Sequence, residues 1–322
     1  MPPNRTYPVL LAILGAVLFG ASAPLSKVLL GQIDPVLLAG LLYLGSGIGL
    51  LIFKVVGHLS GFQEGKPLGR KDTPWLAGAV LAGGVAAPIM LMLGLKSTPA
   101  ATASLLLNFE CVSTTLIATA FFHEYVGKRI WLAIILVTSA SILLTFGESG
   151  LGVSTGALGI ILACILWGTD NNLTRKISSK DPLSIGIVKG LAAGAFSFIL
   201  AMLLGARLPA LPLMLGTMLL GSISYGLSIA FFIIAMRYIG AARASAWLGT
   251  APFAGVIISF LIFRDLPGVN FLVSLPVMAL GTLLLFGEDH AHTHIHVHGT
   301  ITHEHIHAHG EGHEHHDTRP RS

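Results

Sequence analysis

The chain has 322 residues, of which 53% are hydrophobic and only 11% charged, and its mean hydropathy is +0.80. A soluble domain is about one quarter charged, so most of this surface faces something other than water. The formal charge of +4 is spread as Lys and Arg scattered between apolar runs, which speaks against a nucleic-acid-binding stripe.

Apolar runs of about twenty residues, the length a helix needs to cross a bilayer, recur along the chain. They predict spans over 8–29, 34–56, 74–95, 98–122, 129–146, 156–177, 182–204, 211–236, 241–262 and 270–286. The first begins like a signal peptide, with Arg5, an apolar run and Ala21-Ser22-Ala23. Pro24 disfavours cleavage there and is expected to kink the helix instead. Cys111 and Cys164 lie inside spans and are expected to be free thiols. With a cytoplasmic N-terminus, the cytoplasmic side carries fourteen Lys and Arg against four outside (Lys27, Lys96, Arg207, Arg264). That bias sets the orientation, and ten spans return the C-terminus to the cytoplasm.

The two halves are alike. Segment 18–36 aligns with 166–183, pairing Phe19-Gly20 with Trp167-Gly168 and Asp34-Pro35 with Asp181-Pro182. ATASLLL (101–107) parallels ARASAWL (242–248), FFHE (121–124) parallels IFRD (262–265), and LLTFGE (143–148) parallels LLLFGE (283–288). Five spans per half force the second half to enter the membrane inverted, the build of many secondary transporters. The expected fold is therefore an all-α integral membrane protein: ten transmembrane helices as two inverted five-helix repeats, 8–146 and 154–286, plus a tail, 287–322.

In register in both halves, these motifs resemble the EamA-type transporters of the drug/metabolite transporter superfamily. The resemblance covers about residues 8–288 and implies export of small organic solutes across an inner or plasma membrane, without naming one. The histidine tail is not part of the family pattern.

Charged groups inside spans are costly and are functional candidates. Glu110 stands midway along the fourth span, where snorkelling cannot reach water. Ser104, Asn108, Cys111 and Thr115 share a helical face beside it. Glu110 is expected to bind a cationic group or to take up a coupling proton, against a hydrogen-bonded structural glutamate. The matching second-half position has Ala251-Pro252, so any coupling is asymmetric. WGTDNN (167–172) suits an unwound or cavity-facing segment and adds Trp167, Asp170, Asn171 and Asn172 as candidates. Asp170 and Lys189 both lie about 10 Å deep by helical rise and fit a structural ion pair. Tyr225 and Trp247 complete the set, with packing or interhelical hydrogen bonding as the alternative for each.

No GxxxxGK[ST] loop, nucleophile elbow or HExxH motif occurs, so neither ATP-driven pumping nor an enzyme is expected, and no cofactor is required. The tail holds His290, His292, His294, His296, His298, His303, His305, His307, His309, His313, His315 and His316. Imidazoles bind Zn, Ni and Co. A polar tail of this kind is expected to be disordered without a ligand, and its interleaved histidines differ from an unbroken purification tag. The partners expected are a small-molecule solute, the lipid bilayer and divalent metal at the tail, with no nucleic acid. A metabolite exporter is the leading reading. A divalent-metal (Zn, Ni or Co) efflux transporter, with the tail collecting ions, is the alternative, and a membrane-anchored metal sensor the third.

Overall fold

The computed structural model describes residues 6–59, 66–123, 126–146, 154–239, 247–286, 292–298 and 301–307. It divides into a helical unit, Met1–Phe286, and a tail unit, Gly287–Ser322.

The helical unit is a succession of rods. We number them α1 (Thr6–Leu29), α2 (Pro35–Leu59), α3 (Arg70–Ser97), α4 (Ala100–Phe122), α5 (Lys128–Thr145), α6 (Thr155–Arg175) and α7 (Pro182–Leu203). After them come α8 (Leu211–Gly221, Ser222–Leu227 and Ser228–Ile239), α9 (Ala251–Phe263) and α10 (Val269–Phe286). Among the described residues, seven rods are long and apolar enough to cross a membrane, while α9 and α10 are shorter apolar helices. α6 has the length, but its polar run Thr169–Asn172 lowers its hydropathy. Large apolar side chains such as Leu10, Ile52, Ile135, Ile199, Leu261 and Leu283 stand more than half exposed on the outside. A surface so apolar is matched to lipid rather than water.

Several rods depart from regular helix. α1 turns at Ala21, just past Gly20, the residue whose carbonyl loses its i+4 donor to Pro24. α4 turns at Leu107–Asn108, and the chain entering α9 turns at Gly249–Thr250. α3 and α8 each contain a π-helical stretch, Val80–Ala86 and Ser222–Leu227. Such stretches are rare and gather at functional sites.

The packing crosses between the halves. α1 packs on α8 and α9, while α6 packs on α3 and α4. α2 packs on α7, and α5 on α10. The paired aromatic-Gly motif has its reason here. A side chain at Gly20 would collide with the Ala251 carbonyl of α9, and a Cβ at Gly168 would lie 2.8 Å from the Ser113 backbone of α4. Glycine lets α1 and α6 sit close against the fourth helix of the opposite half. Gly168→Val is expected to overpack this contact and cost about 1–3 kcal/mol, read as a lowered Tm of the detergent-solubilised protein.

The tail corrects an expectation. Instead of disorder throughout, it contains an antiparallel hairpin of β1 (His292–His298) and β2 (Ile301–His307). The register pairs His292 with His307, His294 with His305 and His296 with His303. Alternating Thr, Ile and Val supply β propensity. His290, His309, His313, His315 and His316 lie outside the described residues.

Candidate functional site

The two π-helical stretches meet the first helix of the opposite half at a shared aromatic cluster. The Trp167 indole N–H (α6) donates to the Gly83 carbonyl of the α3 π stretch at 2.9 Å, and the Tyr43 hydroxyl (α2) donates to the same oxygen at 2.8 Å. A π turn displaces the regular ladder, and here a backbone oxygen takes two side-chain donors. On the other side Phe19 (α1) packs edge-on to Tyr225 of the α8 π stretch, with centroids 5.7 Å apart. Tyr43 and Tyr225 lie 5.8 Å apart and join the two contacts.

Two cavities open around this cluster. One, of about 420 Å³, lies among α1, α4, α5, α6, α9 and α10 and is walled by Leu107, Cys111, Thr115, Ile130, Pro252 and Leu285, among others. The other, of about 480 Å³, lies among α1, α2, α4, α6, α7 and α8 and includes Tyr43, Ser46, Asp170, Thr174, Lys189 and Tyr225. Phe19, Glu110, Trp167 and Asn171 line both. Volumes in this range suit small ligands.

Glu110 lies in the first turn after the break in α4. Its Oε1 accepts the Asn171 amide at 2.9 Å, and that amide also donates to Thr114 Oγ1 at 3.1 Å. Among the described residues no Lys, Arg or His forms an ion pair with Glu110. The break itself is pinned from α10: Thr282 Oγ1 donates to Asn108 Oδ1 at 3.2 Å, while the Asn108 amide turns back to the Leu105 carbonyl. Asn108 is buried yet touches the first cavity, so it shapes the wall.

Asp170 is 4% exposed and forms an ion pair with Lys189 of α7, whose Nζ lies 2.6 and 2.5 Å from its two oxygens. Thr174 Oγ1 adds a third hydrogen bond at 2.9 Å. Asn172 faces away from both cavities, its amide donating to the Thr114 and Gly168 carbonyls at 3.0 and 2.8 Å. It therefore fastens α6 to α4. These bonds, with Thr169 Oγ1 donating to the Ile165 carbonyl, decide between the two alternatives for residues 167–172: the segment is continuous helix and faces the cavities through Trp167, Asp170 and Asn171 rather than being partly unwound. Their polar side chains are satisfied within α6 and by its neighbours, so the backbone has no need to open.

Trp247 lines neither cavity and is 38% exposed, while its neighbours Leu248 and Gly249, at the turn Gly249–Thr250, stand on the wall of the first. Cys111 lines the first cavity; Cys164 is buried, with Sγ 3.6 Å from the Leu106 carbonyl. Among the described residues no three His, Cys, Asp or Glu converge as a metal site. Two wall residues escape a sequence reading altogether. Tyr43 is a lone tyrosine in an apolar span with only Ser46 beside it in register, and Phe19 reads only as half of a repeat motif.

On the face where α2 ends and α7 begins, the halves are clasped. Lys54 Nζ reaches Asp181 Oδ2 at 2.9 Å and Ser184 Oγ at 2.8 Å, Lys180 pairs with Asp72 at 3.2 Å, and the Asp181 N–H donates to the Lys66 carbonyl. Burial alone would raise the Asp181 carboxyl; the hydrogen bonds from Lys54 and Ser184 and the Lys54 charge outweigh it and hold it below its usual range.

A lipid-matched bundle of apolar helices, with largely apolar cavities that carry a few convergent polar groups where its two halves meet, is the architecture of a membrane transporter. The chain belongs to the EamA-like transporter family, part of the drug/metabolite transporter superfamily, whose model matches residues 6–146 and 154–287. It is 28% identical over 301 residues to an uncharacterized transporter of Methanothermobacter thermautotrophicus, covering 88% of this chain and 87% of the relative. It is 25% identical over 232 residues to the uncharacterized inner membrane transporter YedA of Escherichia coli K12, covering 70% of this chain and 72% of that protein. A solved crystal structure, described only as that of a protein, superposes with a TM-score of 0.62 at 17% identity. It covers 88% of this chain and 96% of that one, and shows the fold alone.

Proposed function

We propose that the chain is a secondary transporter that exports small organic metabolites, amino-acid-like or drug-like, across the inner or plasma membrane by alternating access. In this reading α1–α5 and α6–α10 are inverted five-helix halves, ten spans in all, and both termini are cytoplasmic. The observation that carries it is Glu110: a mid-membrane carboxylate on the wall common to both cavities, with a neutral amide as its side-chain partner. Asp170 and Lys189 satisfy each other, so Glu110 is left to receive a cationic group or a proton. Trp167, Asn171 and Tyr225 shape its surroundings. The test is export of labelled amino acids, organic amines, Zn, Ni and Co from cells carrying the parent chain, Glu110→Gln or vector. An organic solute exported by the parent and not by Glu110→Gln is the expected result. Export of metal alone overturns the reading.

Divalent-metal efflux is the second reading, favoured by the register of the hairpin, which sets histidine opposite histidine at three successive like positions. Whichever solute is exported, we expect the tail to bind metal. The full chain should hold several zinc ions, and a chain ending at Glu288 none, by metal analysis after dialysis. Equal zinc in both removes the tail from metal chemistry.

A further inference from the structure

A third cavity, of about 300 Å³, lies at the opposite end of the bundle, among the start of α4, the end of α5, the end of α9 and the start of α10. The same four helices wall the 420 Å³ cavity further along, α4 at its middle and α5, α9 and α10 toward their other ends. Along α4 the two linings stop at Thr102 and resume at Leu107, a separation of about 8 Å at helical rise. Along α9 they stop at Ser259 and resume at Pro252, about 10 Å. The septum between them is thin. It holds Leu105, Leu106, Val256 and Met278, all buried, and is crossed by the Thr282–Asn108 hydrogen bond. It also holds Ser104, 1% exposed, whose hydroxyl has no partner among the described residues. An orphan buried hydroxyl is rare in a finished apolar seal. The α2 side offers no such route: at Gly45 and Gly221 the backbones of α2 and α8 are in direct contact, with no room for a Cβ.

The polar groups of the third cavity are mostly spent. Asn270 donates to the Phe146 carbonyl, Ser259 to the Gly255 carbonyl, and the Ser154 hydroxyl caps α6 at Ala157. Among the described residues, the Asp265 carboxylate has no direct ion pair, its charged neighbour Lys27 donating instead to the Leu95 and Lys96 carbonyls, and the Thr98 and Thr102 hydroxyls have no hydrogen bond; Asp265, Thr98 and Thr102 all line the cavity. Among the described residues, what remains is one carboxylate and two hydroxyls.

We propose that this cavity is a second solute site on the export path, an outer vestibule that receives an amine-bearing organic cation at Asp265 and Thr102 after it crosses the septum from Glu110. The proposal rests on the transport reading and its orientation. Its test uses Thr102→Cys in the full chain, in intact cells, with membrane-impermeant methanethiosulfonates, one trimethylammonium and one sulfonate. Rates are corrected for each reagent's reaction with a free thiol and for the parent chain's Cys111 and Cys164. Attraction by one nearby carboxylate predicts at least about fivefold faster reaction with the cation, and loss of that preference when Asp265→Asn is added. Unchanged preference in the double variant overturns the vestibule and leaves Glu110-dependent export standing. Reaction only from the cytoplasmic side of inverted vesicles overturns the orientation, and the outer site with it.

Discussion

Glu110→Gln is expected to reduce export at least about 30-fold while leaving the fold intact. The replacement keeps the shape and an oxygen at the position of Oε1, so the Asn171 amide, which bonds there at 2.9 Å, keeps its acceptor. Only the charge is lost. Removing one partner from a desolvated charged contact costs about 2–5 kcal/mol, and about 1.4 kcal/mol is tenfold. The Tm of the solubilised variant should match the parent within a few degrees, since no buried ion pair is broken. Two modes of failure are informative. A variant that no longer exports but still exchanges solute down its gradient assigns Glu110 to the coupling proton. A variant that loses binding as well assigns it to the solute's cationic group. Export at the parent rate removes Glu110 from the mechanism.

The ladder of roles around Glu110 was only partly legible in the sequence. The acid in mid-span is visible because charge in a bilayer is rare. Its neighbour Asn171 is visible as part of a polar run. The difference between Asn171, which reaches Glu110, and Asn172, which ties α6 to the Thr114 carbonyl, is one helical step of about 100°. Pattern alone places both on a polar helix and cannot say which side meets a cavity. The π stretches were beyond reach for a different reason. Val80–Ala86 is an ordinary small and apolar segment, Ser222–Leu227 mixes two serines and a tyrosine with apolar residues, and neither pattern marks a π turn; the contacts on them, Trp167 and Tyr43 on one and Phe19 and Tyr43 on the other, come from helices distant in sequence. Trp247 lies off the cavity wall that Leu248 and Gly249 line, a difference of one or two residues beside the turn at Gly249–Thr250 that a sequence pattern does not fix. The tail failed on composition: polarity argued for disorder, while the alternation of histidine with Thr, Ile and Val is also a strand pattern.

Asp170→Asn carries the other large effect, and on stability rather than transport. The Lys189 ammonium is held by both oxygens of Asp170, a residue 4% exposed, against the backbone of α3 at Gly83, where no Cβ fits. Neutralising the carboxylate leaves the Lys189 ammonium, mostly withdrawn from solvent on the cavity wall, without its counter-ion, a loss that reaches about 3–5 kcal/mol for a fully buried pair and is smaller here by the part that the cavity solvates. The expected result is a sharp loss of folded, monodisperse protein on solubilisation. Adding Lys189→Met removes the stranded charge, and the double variant should recover most of the loss, because a buried pair replaced whole is close to neutral. That recovery marks the pair as a structural tie between α6 and α7. The alternative has its own signature. If Asp170→Asn folds as well as the parent but stops export, and Lys189→Met does not restore it, then the carboxylate acts on the solute in the second cavity. The cavity's ion pair is then a working part rather than a tie, and Glu110 shares its task.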